Sequence, residues 1–287
     1  MPPEPTESRT ILWVYAHPEE RSLNASLRDA GVAAAQEAGH RVVLSDLYAM
    51  GWKSELDGAD VAGTPDLPPE ISRATRRAYD AGTLAPDIRE EQRKLRDADA
   101  LVLQFPLWWY ATPAILKGWI DRVFAKGFAY GLRDPRQPGR TFRYGDGPLA
   151  GRRAQVITTT GSPAPAMGPR GINGQLDQVL FPLLHGTLWY VGIAPLPPLA
   201  VHSADRFDRS DFREASSRIA ERMHGLFDVE PIGYRYQNRD DYDDDLVLRD
   251  DVAPGATGLS AHQEPEQEDR RRPEPPGRPH VPELSRT

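Results

Sequence analysis

Short apolar runs alternate with amphipathic stretches along most of this chain. Residues 11–16 form a continuous apolar run, which predicts a buried β-strand. Ser22 is placed to cap a helix with apolar residues at steps of three and four, and Gly39 is placed to end it in a left-handed conformation. Residues 41–45 predict a second strand. Two strands joined by one helix over so short a segment predict a parallel β-α-β unit.

The same alternation continues to residue 227. Further strands are predicted at residues 100–105, 154–159 and 193–201, and further helices at residues 88–98, 115–123, 176–184 and 212–227. Prolines interrupt the last strand, which places it at an edge of the sheet because proline cannot donate a ladder hydrogen bond. Five strands alternating with helices predict an α/β fold, a doubly wound five-stranded parallel sheet with helices on both faces.

Several stretches fall outside this alternation. Residues 1–9 are polar and proline-rich and are predicted to be disordered, and residues 51–84 form a long, weakly periodic excursion. Residues 230–263 contain enough apolar side chains, Tyr234 and Leu246 among them, to pack as an extended C-terminal arm. Residues 264–287 contain almost none and predict a disordered acidic, proline-rich tail. The predicted domain therefore covers residues 10–229.

Composition narrows the class of protein. The chain has 287 residues and no cysteine, which excludes disulfides, thiolate zinc sites and cysteine nucleophiles, and we predict no metal site. Most of the net charge of -7 lies beyond residue 229, so the domain has no basic face for nucleic acid. No apolar run approaches the ~20 residues of a membrane span, and residues 1–9 lack the apolar part of a secretory signal. We therefore expect a cytoplasmic protein.

The carboxyl ends of the strands are where an open α/β sheet binds ligands. The sequence there contains no Rossmann glycine pattern, Walker A loop, HExxH motif or GxSxG elbow. After the first strand, Arg21, Ser22 and Asn24 adjoin a helix N-terminus, whose free N–H groups and dipole suit a phosphate or pyrophosphate. Ordinary helix capping, with Arg21 in water, explains the same residues, and both interpretations stay open.

Aromatic and hydroxyl side chains follow the third and fourth strands. Trp108, Trp109 and Tyr110 are consecutive and cannot all point inward, because neighbouring side chains alternate in direction. They could form a wall for a flat aromatic ligand, or pack in the core or at a dimer interface. The hydroxyls and the turn glycine of residues 158–163 could bond the polar edge of a ring, or form a simple turn.

Several short blocks lie in a fixed order between residues 10 and 228. They are His17 with Ser22-Leu23-Asn24, residues 45–50 (SDLYAM), 84–88 (LAPDI), 104–107 (QFPL), 113–119 (PAILKGW), 128–130 (FAY), 157–161 (ITTTG) and 171–174 (GING). Each block alone is a weak signal. Together they resemble the flavodoxin-like NAD(P)H:quinone oxidoreductases, the DT-diaphorase family.

The resemblance implies a homodimer whose domain at residues 10–229 binds FAD, or alternatively FMN. The residues around the pyrophosphate would be His17, Arg21, Ser22, Leu23 and Asn24. Those flanking the isoalloxazine ring would be Pro106, Leu107, Trp108, Trp109 and Tyr110. Those bonding its polar edge would be Thr159, Thr160, Gly161 and Ser162. Tyr130 lies in the block that lines the quinone pocket of this family.

Three positions depart from the family pattern. Family members carry a Tyr and a His on the loop after the fourth strand as relay partners of the reduced flavin, and the GING block aligns these with Met167 and Asn173. A second pocket tyrosine corresponds to Leu132. Asn173 can hydrogen-bond but cannot carry a proton near pH 7. The expected substrate pocket contains Trp109, Tyr130, Leu132, Met167 and Asn173.

The resemblance implies an FAD-dependent NAD(P)H oxidoreductase that passes hydride to a quinone-like acceptor by a ping-pong mechanism. The missing Tyr/His pair also permits a flavin-binding regulatory subunit of a partner protein with little turnover. A third interpretation is an FMN-dependent azo- or nitroreductase, which differs in cofactor and acceptor. NAD(P)H oxidation with a panel of quinones and identification of the released flavin distinguish the three.

Overall fold

A computed structural model of the protein describes residues 8–61, 70–135, 137 and 139–264. The strands are β1 (Thr10–Tyr15), β2 (Arg41–Asp46), β3 (Ala100–Pro106), β4 (Arg153–Thr159), β5 (Ala194–Pro195) and β6 (Leu199–Val201). The α-helices are α1 (Leu23–Glu37), α2 (Ile71–Asp80), α3 (Pro86–Asp97), α4 (Ala114–Val123), α5 (Leu176–Val179), α6 (Phe181–Leu183) and α7 (Arg209–His224).

The strands form one parallel sheet. Its order is β2-β1-β3-β4-β5, and β6 also pairs with β4. This order carries the chain outwards from β1 in both directions, which is the arrangement of a doubly wound flavodoxin-like sheet. The predicted fold class is thereby confirmed.

Apolar side chains cover both faces of the sheet. Along β1, Ile11, Trp13 and Tyr15 pack in a cluster with side chains of α1 and α7. The alternate residues Leu12 and Val14 pack in the other cluster, with side chains of α3 and α4. Because successive strand residues point to opposite faces, one strand contributes to two cores, as expected of a sheet covered on both sides.

The first helix forms as its sequence predicts. Ser22 is its N-cap and accepts a hydrogen bond from the Ala25 N–H at 3.1 Å. Gly39 follows the helix with φ of 86°, a left-handed conformation that suits glycine. Gly31 lets the helix approach the sheet, since a β-carbon there would lie 2.5 Å from the Trp13 ring. The first turn of α1 is therefore held at the carboxyl end of β1.

Three elements differ from the prediction. The fifth strand is two short pieces, β5 and β6, since Pro197 and Pro198 between them cannot donate ladder hydrogen bonds. The fourth helix is also broken: α5, α6 and a π-helical segment (Leu184–Trp189) replace it, with Pro182 at the break. The weakly periodic excursion contains a 3₁₀ turn (Gly58–Asp60) and the helix α2.

Residues 230–264, here called the C-terminal segment, pack on the domain. An isolated bridge pairs Tyr234 with Gln263, so the segment turns back on itself. Tyr234 is 2% exposed, whereas Leu246 is exposed, contrary to its expected packing role. The predicted disordered ends lie outside the described residues, apart from residues 8, 9 and 264. In the described ranges, no helix is long and apolar enough to cross a membrane.

Candidate functional site

Three loops meet at the carboxyl edge of the sheet. The Asn24 Nδ2 in α1 donates to Thr159 Oγ1 at the end of β4, at 2.7 Å. The Leu107 N–H after β3 donates to the Thr159 carbonyl at 2.8 Å. Thr159 thus joins the loops that follow β1 and β3 to the end of β4. Most of the predicted flavin residues are brought together around this junction.

The loop after β1 is held by its own hydrogen bonds. His17 Nδ1 accepts from the Glu19 N–H at 3.1 Å. Arg21 Nε lies 3.3 Å from Glu19 Oε1, and the Arg21 side chain is 91% exposed. The pKa of the Glu19 carboxyl is lowered, first by the Arg21 backbone N–H and then by its guanidinium. Arg21 is therefore a surface cation already paired with a carboxylate.

Asn24 lies below the surface of the site, in a chain of buried amides. Its main-chain carbonyl oxygen accepts from Gln104 Nε2 at 2.7 Å, and Gln104 Oε1 accepts from Trp13 Nε1 at 3.0 Å. Asn24 Oδ1 is buried and has no partner among the described residues. Gln104 lies in the QFPL block of residues 104–107 but was not predicted as a site residue. The signal that could have found its role was a polar residue in an otherwise apolar strand.

The aromatic loop, residues 107–112, is turned towards solvent. Trp109 is 96% exposed, and Trp108 and Tyr110 are about half exposed, so core packing does not explain them. Trp109 and Tyr110 have φ of 51° and 59°. Two successive non-glycine residues in this left-handed region store strain, which is a frequent property of ligand sites. Pro106 is buried, and Leu107 is half-buried against the core.

One side chain connects the aromatic loop to the loop after β4. Tyr110 Oη donates to Asn173 Oδ1 at 2.9 Å, and Asn173 Nδ2 donates to Ser162 Oγ at 2.8 Å. One residue from each predicted group, the ring-flanking Tyr110, the polar-edge Ser162 and the pocket residue Asn173, is therefore part of one hydrogen-bonded chain. Asn173 occupies its centre.

The turn after β4 is closed by the last residue of β6 and by the residues that follow it. The Thr160 N–H donates to the Val201 carbonyl at 2.9 Å, and the Ser203 N–H donates to the Ser162 carbonyl at 3.1 Å. A β-carbon at Gly161 would lie 2.5 Å from Asp205 Oδ2, so any larger residue there would displace the Asp205 side chain. Asp205 is thus a neighbour of the site.

His202 is a second neighbour of this turn. Burial lowers its pKa, although a hydrogen bond with the Ser162 backbone opposes that shift. His202 and Asp205 were not among the predicted site residues. Only the pairing of β6 with β4 brings them beside Ser162, and the sequence contains no local signal of that pairing.

Three predicted pocket residues lie apart from the hydrogen-bonded chain. Met167 is buried at the end of a 3₁₀ helix (Ala164–Met167). Tyr130 and Leu132 are half-buried and lie on a segment after α4. Their main-chain hydrogen bonds are local: the Tyr130 carbonyl accepts from the Gly127 N–H at 2.8 Å, and the Leu132 carbonyl accepts from the Phe142 N–H at 2.9 Å. Their place in a pocket remains a prediction.

The sheet order and the site at its carboxyl edge define a flavodoxin-like protein. The sequence pattern of a family described as "Flavodoxin-like fold" matches residues 9–223. A solved structure of a candidate quinone reductase from Klebsiella pneumoniae superposes with a TM-score of 0.84 at 45% identity, covering 90% of this chain and 100% of that chain.

Curated relatives show which group of flavodoxin-like proteins this chain resembles. A ribosyldihydronicotinamide dehydrogenase-like protein of Penicillium crustosum is 42% identical, covering 81% of this chain and 86% of the relative. Ribosyldihydronicotinamide dehydrogenase [quinone] of Mus musculus is 37% identical, covering 78% and 94%. NAD(P)H dehydrogenase [quinone] 1 of Cavia porcellus is 33% identical, covering 78% and 79%. The chain belongs to the flavodoxin-like NAD(P)H:quinone oxidoreductases, a family of flavin-dependent quinone reductases.

Proposed function

We propose that this protein is an FAD-dependent NAD(P)H oxidoreductase that passes hydride to a quinone-like acceptor. The observation that carries the proposal is the junction of three loops, in which the aromatic loop with its exposed Trp109 is joined to Ser162 through Tyr110 and Asn173. Flat rings with a polar edge match that combination of surfaces. One site would serve donor and acceptor in turn, which gives ping-pong kinetics.

The start of α1 fits the phosphates of a flavin nucleotide. The N–H groups of Leu23 and Asn24 have no hydrogen-bond partner within the described part of the chain. They lie at the positive end of the helix dipole, which attracts anions. Arg21 could reach a second phosphate by leaving Glu19, and this is our reason for proposing FAD rather than FMN.

The end of β4 fits the polar edge of the ring. The Gly161 N–H has no partner among the described residues, and Thr160 and Ser162 flank it with hydroxyls. A flavin bound here would supply the hydride chemistry, since it accepts a hydride from a dihydronicotinamide and delivers it to the acceptor. Trp109 would stack on the ring and exclude water, while the residues around Gly161 would orient it.

The hydride donor is proposed to be NAD(P)H, but the names of two relatives give a reason to test ribosyldihydronicotinamide as a second donor. Those from Penicillium crustosum and Mus musculus are named as ribosyldihydronicotinamide dehydrogenases, or as similar to them. The acceptor pocket is proposed to include Trp109, Tyr130, Leu132, Met167 and Asn173.

A homodimer is part of the proposal. Trp109 is 96% exposed and the neighbouring Trp108 is 43% exposed, and large apolar side chains this exposed favour cover by a second copy of the chain. Light scattering at several concentrations should give the mass of a dimer, and a constant monomer mass would contradict this part. The proposed compartment is the cytoplasm, where nicotinamide donors are available, and cell fractionation tests it.

The decisive experiment is a flavin and turnover assay on the full chain. The purified protein should release FAD, identified by chromatography. It should oxidise NADH, NADPH or ribosyldihydronicotinamide with a quinone, and give parallel lines in double-reciprocal plots. Binding of neither FAD nor FMN at micromolar concentration would overturn the proposal. Bound flavin without turnover would favour a regulatory flavoprotein, and released FMN with azo or nitro substrates would favour the reductase alternative.

A further inference from the structure

Asn173 is the only residue of the described chain that bonds both Tyr110 and Ser162 through its side chain. Its Oδ1 accepts from Tyr110 Oη at 2.9 Å, and its Nδ2 donates to Ser162 Oγ at 2.8 Å. The two ends of an amide have different hydrogen-bonding roles, so its two partners define how it is oriented.

These bonds leave the hydroxyl proton of Ser162 without an acceptor among the described residues. Ser162 Oγ itself receives a hydrogen bond from Asn173. A hydroxyl that accepts one bond at a fixed angle has fewer directions in which to donate its own proton. The proton of Ser162 is therefore available to a ligand at the end of β4.

The backbone on both sides of this contact is restrained. The Asn173 N–H donates to the Ala166 carbonyl at 3.0 Å, and a β-carbon at Gly171 would lie 2.1 Å from that same carbonyl oxygen. On the other side, the Ser162 N–H donates to Thr160 Oγ1 at 3.2 Å. The amide and the hydroxyl thus meet between two closed turns, as a preorganised pair requires.

We propose that Asn173 is a positioning residue, which holds the Ser162 hydroxyl so that it donates its proton to the polar edge of the bound flavin. The inference rests on the proposed function, because it requires a flavin at this edge. It assigns Asn173 a role other than lining the acceptor pocket: Asn173 sets the preference of the site for reduced over oxidised flavin.

The direction of the effect follows from charge. Reduction adds electron density to the polar edge of a flavin, and a hydrogen bond to a more negative acceptor is stronger. A hydroxyl held towards that edge therefore stabilises the reduced form more than the oxidised form. Loss of the oriented bond should weaken this preference about tenfold, which for a two-electron couple corresponds to about 30 mV.

The test is the reduction potential of bound flavin, measured at saturating FAD against a reference dye. Ser162→Ala should lower the potential by about 30 mV, and Ser162→Thr, which retains a hydroxyl, should restore most of it. Asn173→Ala should lower the potential by a similar amount. Asn173→Asp should lower it at least as far, because a carboxylate attracts the Ser162 proton to itself. Ile172→Ala is the matched control on the same turn and should leave the potential unchanged.

A double variant shows whether Asn173 acts through Ser162. If it does, Ser162→Ala with Asn173→Ala should have the potential of Ser162→Ala alone. Additive shifts, or an unchanged potential in Asn173→Ala, would overturn the inference while leaving the proposed function intact. Failure of the wild type to bind flavin would overturn both. FAD affinity, measured separately by fluorescence quenching, distinguishes a change of potential from a general loosening of the loop.

Discussion

Two aromatic groups in this protein have opposite environments. The aromatic loop presents Trp109 almost entirely to solvent, on a strained backbone. The inner aromatic cluster, by contrast, packs rings of the domain against the C-terminal segment. Its members are Phe181, His185, Trp189, Tyr234 and His262. The ring centroids of Phe181 and His185 lie 4.6 Å apart, and those of His185 and Tyr234 lie 4.9 Å apart.

The difference separates two uses of aromatic residues. In the inner cluster the rings pack against one another. Trp189 Nε1 also donates to the Arg235 carbonyl at 3.0 Å, and this bond attaches the C-terminal segment to the domain. In the aromatic loop, Trp109 gains no such packing, and its backbone conformation costs free energy. The first arrangement contributes stability, whereas the second leaves a ring available to a ligand or a second subunit.

The largest expected effect is on stability in the inner cluster. Tyr234→Ala should lower the free energy of unfolding by about 3–5 kcal/mol, because it removes a buried ring and leaves a cavity. Trp109→Ala should change it by less than about 0.5 kcal/mol. Urea unfolding of both variants measures the contrast, with Tyr234→Phe as a control that keeps the ring. Similar losses of unfolding free energy in Tyr234→Ala and Trp109→Ala would contradict the distinction between the two aromatic groups.

The next largest effect is expected on FAD binding, where the aromatic loop should matter more than the inner cluster. Trp109→Ala should weaken FAD by about 1–3 kcal/mol, or roughly 5- to 150-fold, through loss of ring stacking. Trp109→Phe should recover most of the affinity, and Ile172→Ala, equally exposed on a neighbouring turn, should bind FAD normally. Fluorescence titration gives the dissociation constants. Normal binding by Trp109→Ala would assign this ring to an interface alone.

Of the two aromatic groups, the inner cluster should give the unfolding free energy a dependence on pH. Burial lowers the pKa of His185 to about 4, and the nearby His262 adds to the shift. Since its pKa is about 6.5 in the unfolded chain, the unfolded state binds more protons between these values. The contribution of His185 is therefore complete above about pH 6.5 and is lost as the pH falls towards 4, by about 1–3 kcal/mol after allowance for partial exposure.

Replacement of the His185 imidazole separates its contribution to the pH dependence from that of other groups. His185→Phe keeps a ring against Phe181 but cannot be protonated, so it should lose this part of the slope of unfolding free energy against pH. Carboxylates contribute equally to both proteins below pH 5, and the comparison removes them. An identical slope in wild type and His185→Phe would place the dependence elsewhere.

The smallest effect is expected at Arg21. Its guanidinium is exposed and paired with Glu19, so Arg21→Ala should weaken FAD by about 0.2–1 kcal/mol at low salt, and less at high salt. Riboflavin, which lacks phosphate, should be unaffected. Arg28→Ala is no suitable control, because Arg28 bonds Asp46 within the fold. Equal weakening of both ligands would remove Arg21 from the phosphate site.

Local patterns were sufficient for most elements of the fold. Continuous apolar runs predicted β1, β3 and β4 to within one residue, and Ser22 and Gly39 marked the ends of α1 because capping depends on adjacent backbone groups. The ordered blocks also pointed to the family, which the comparisons confirm. Prolines marked the edge position of the last strand, but its division into β5 and β6 needed the pairing with β4.

Contacts between distant segments were decided only by the tertiary structure. Asn24 and Thr159 are 135 positions apart and meet because α1 begins where β1 ends, beside β4. The sequence identified Trp109, Asn173 and Ser162 as candidates from two loops, one after β3 and one after β4, yet no local pattern could show that the Asn173 amide joins those loops. Periodicity records which face of an element is apolar, whereas side-chain partners depend on how the sheet brings its strand ends together.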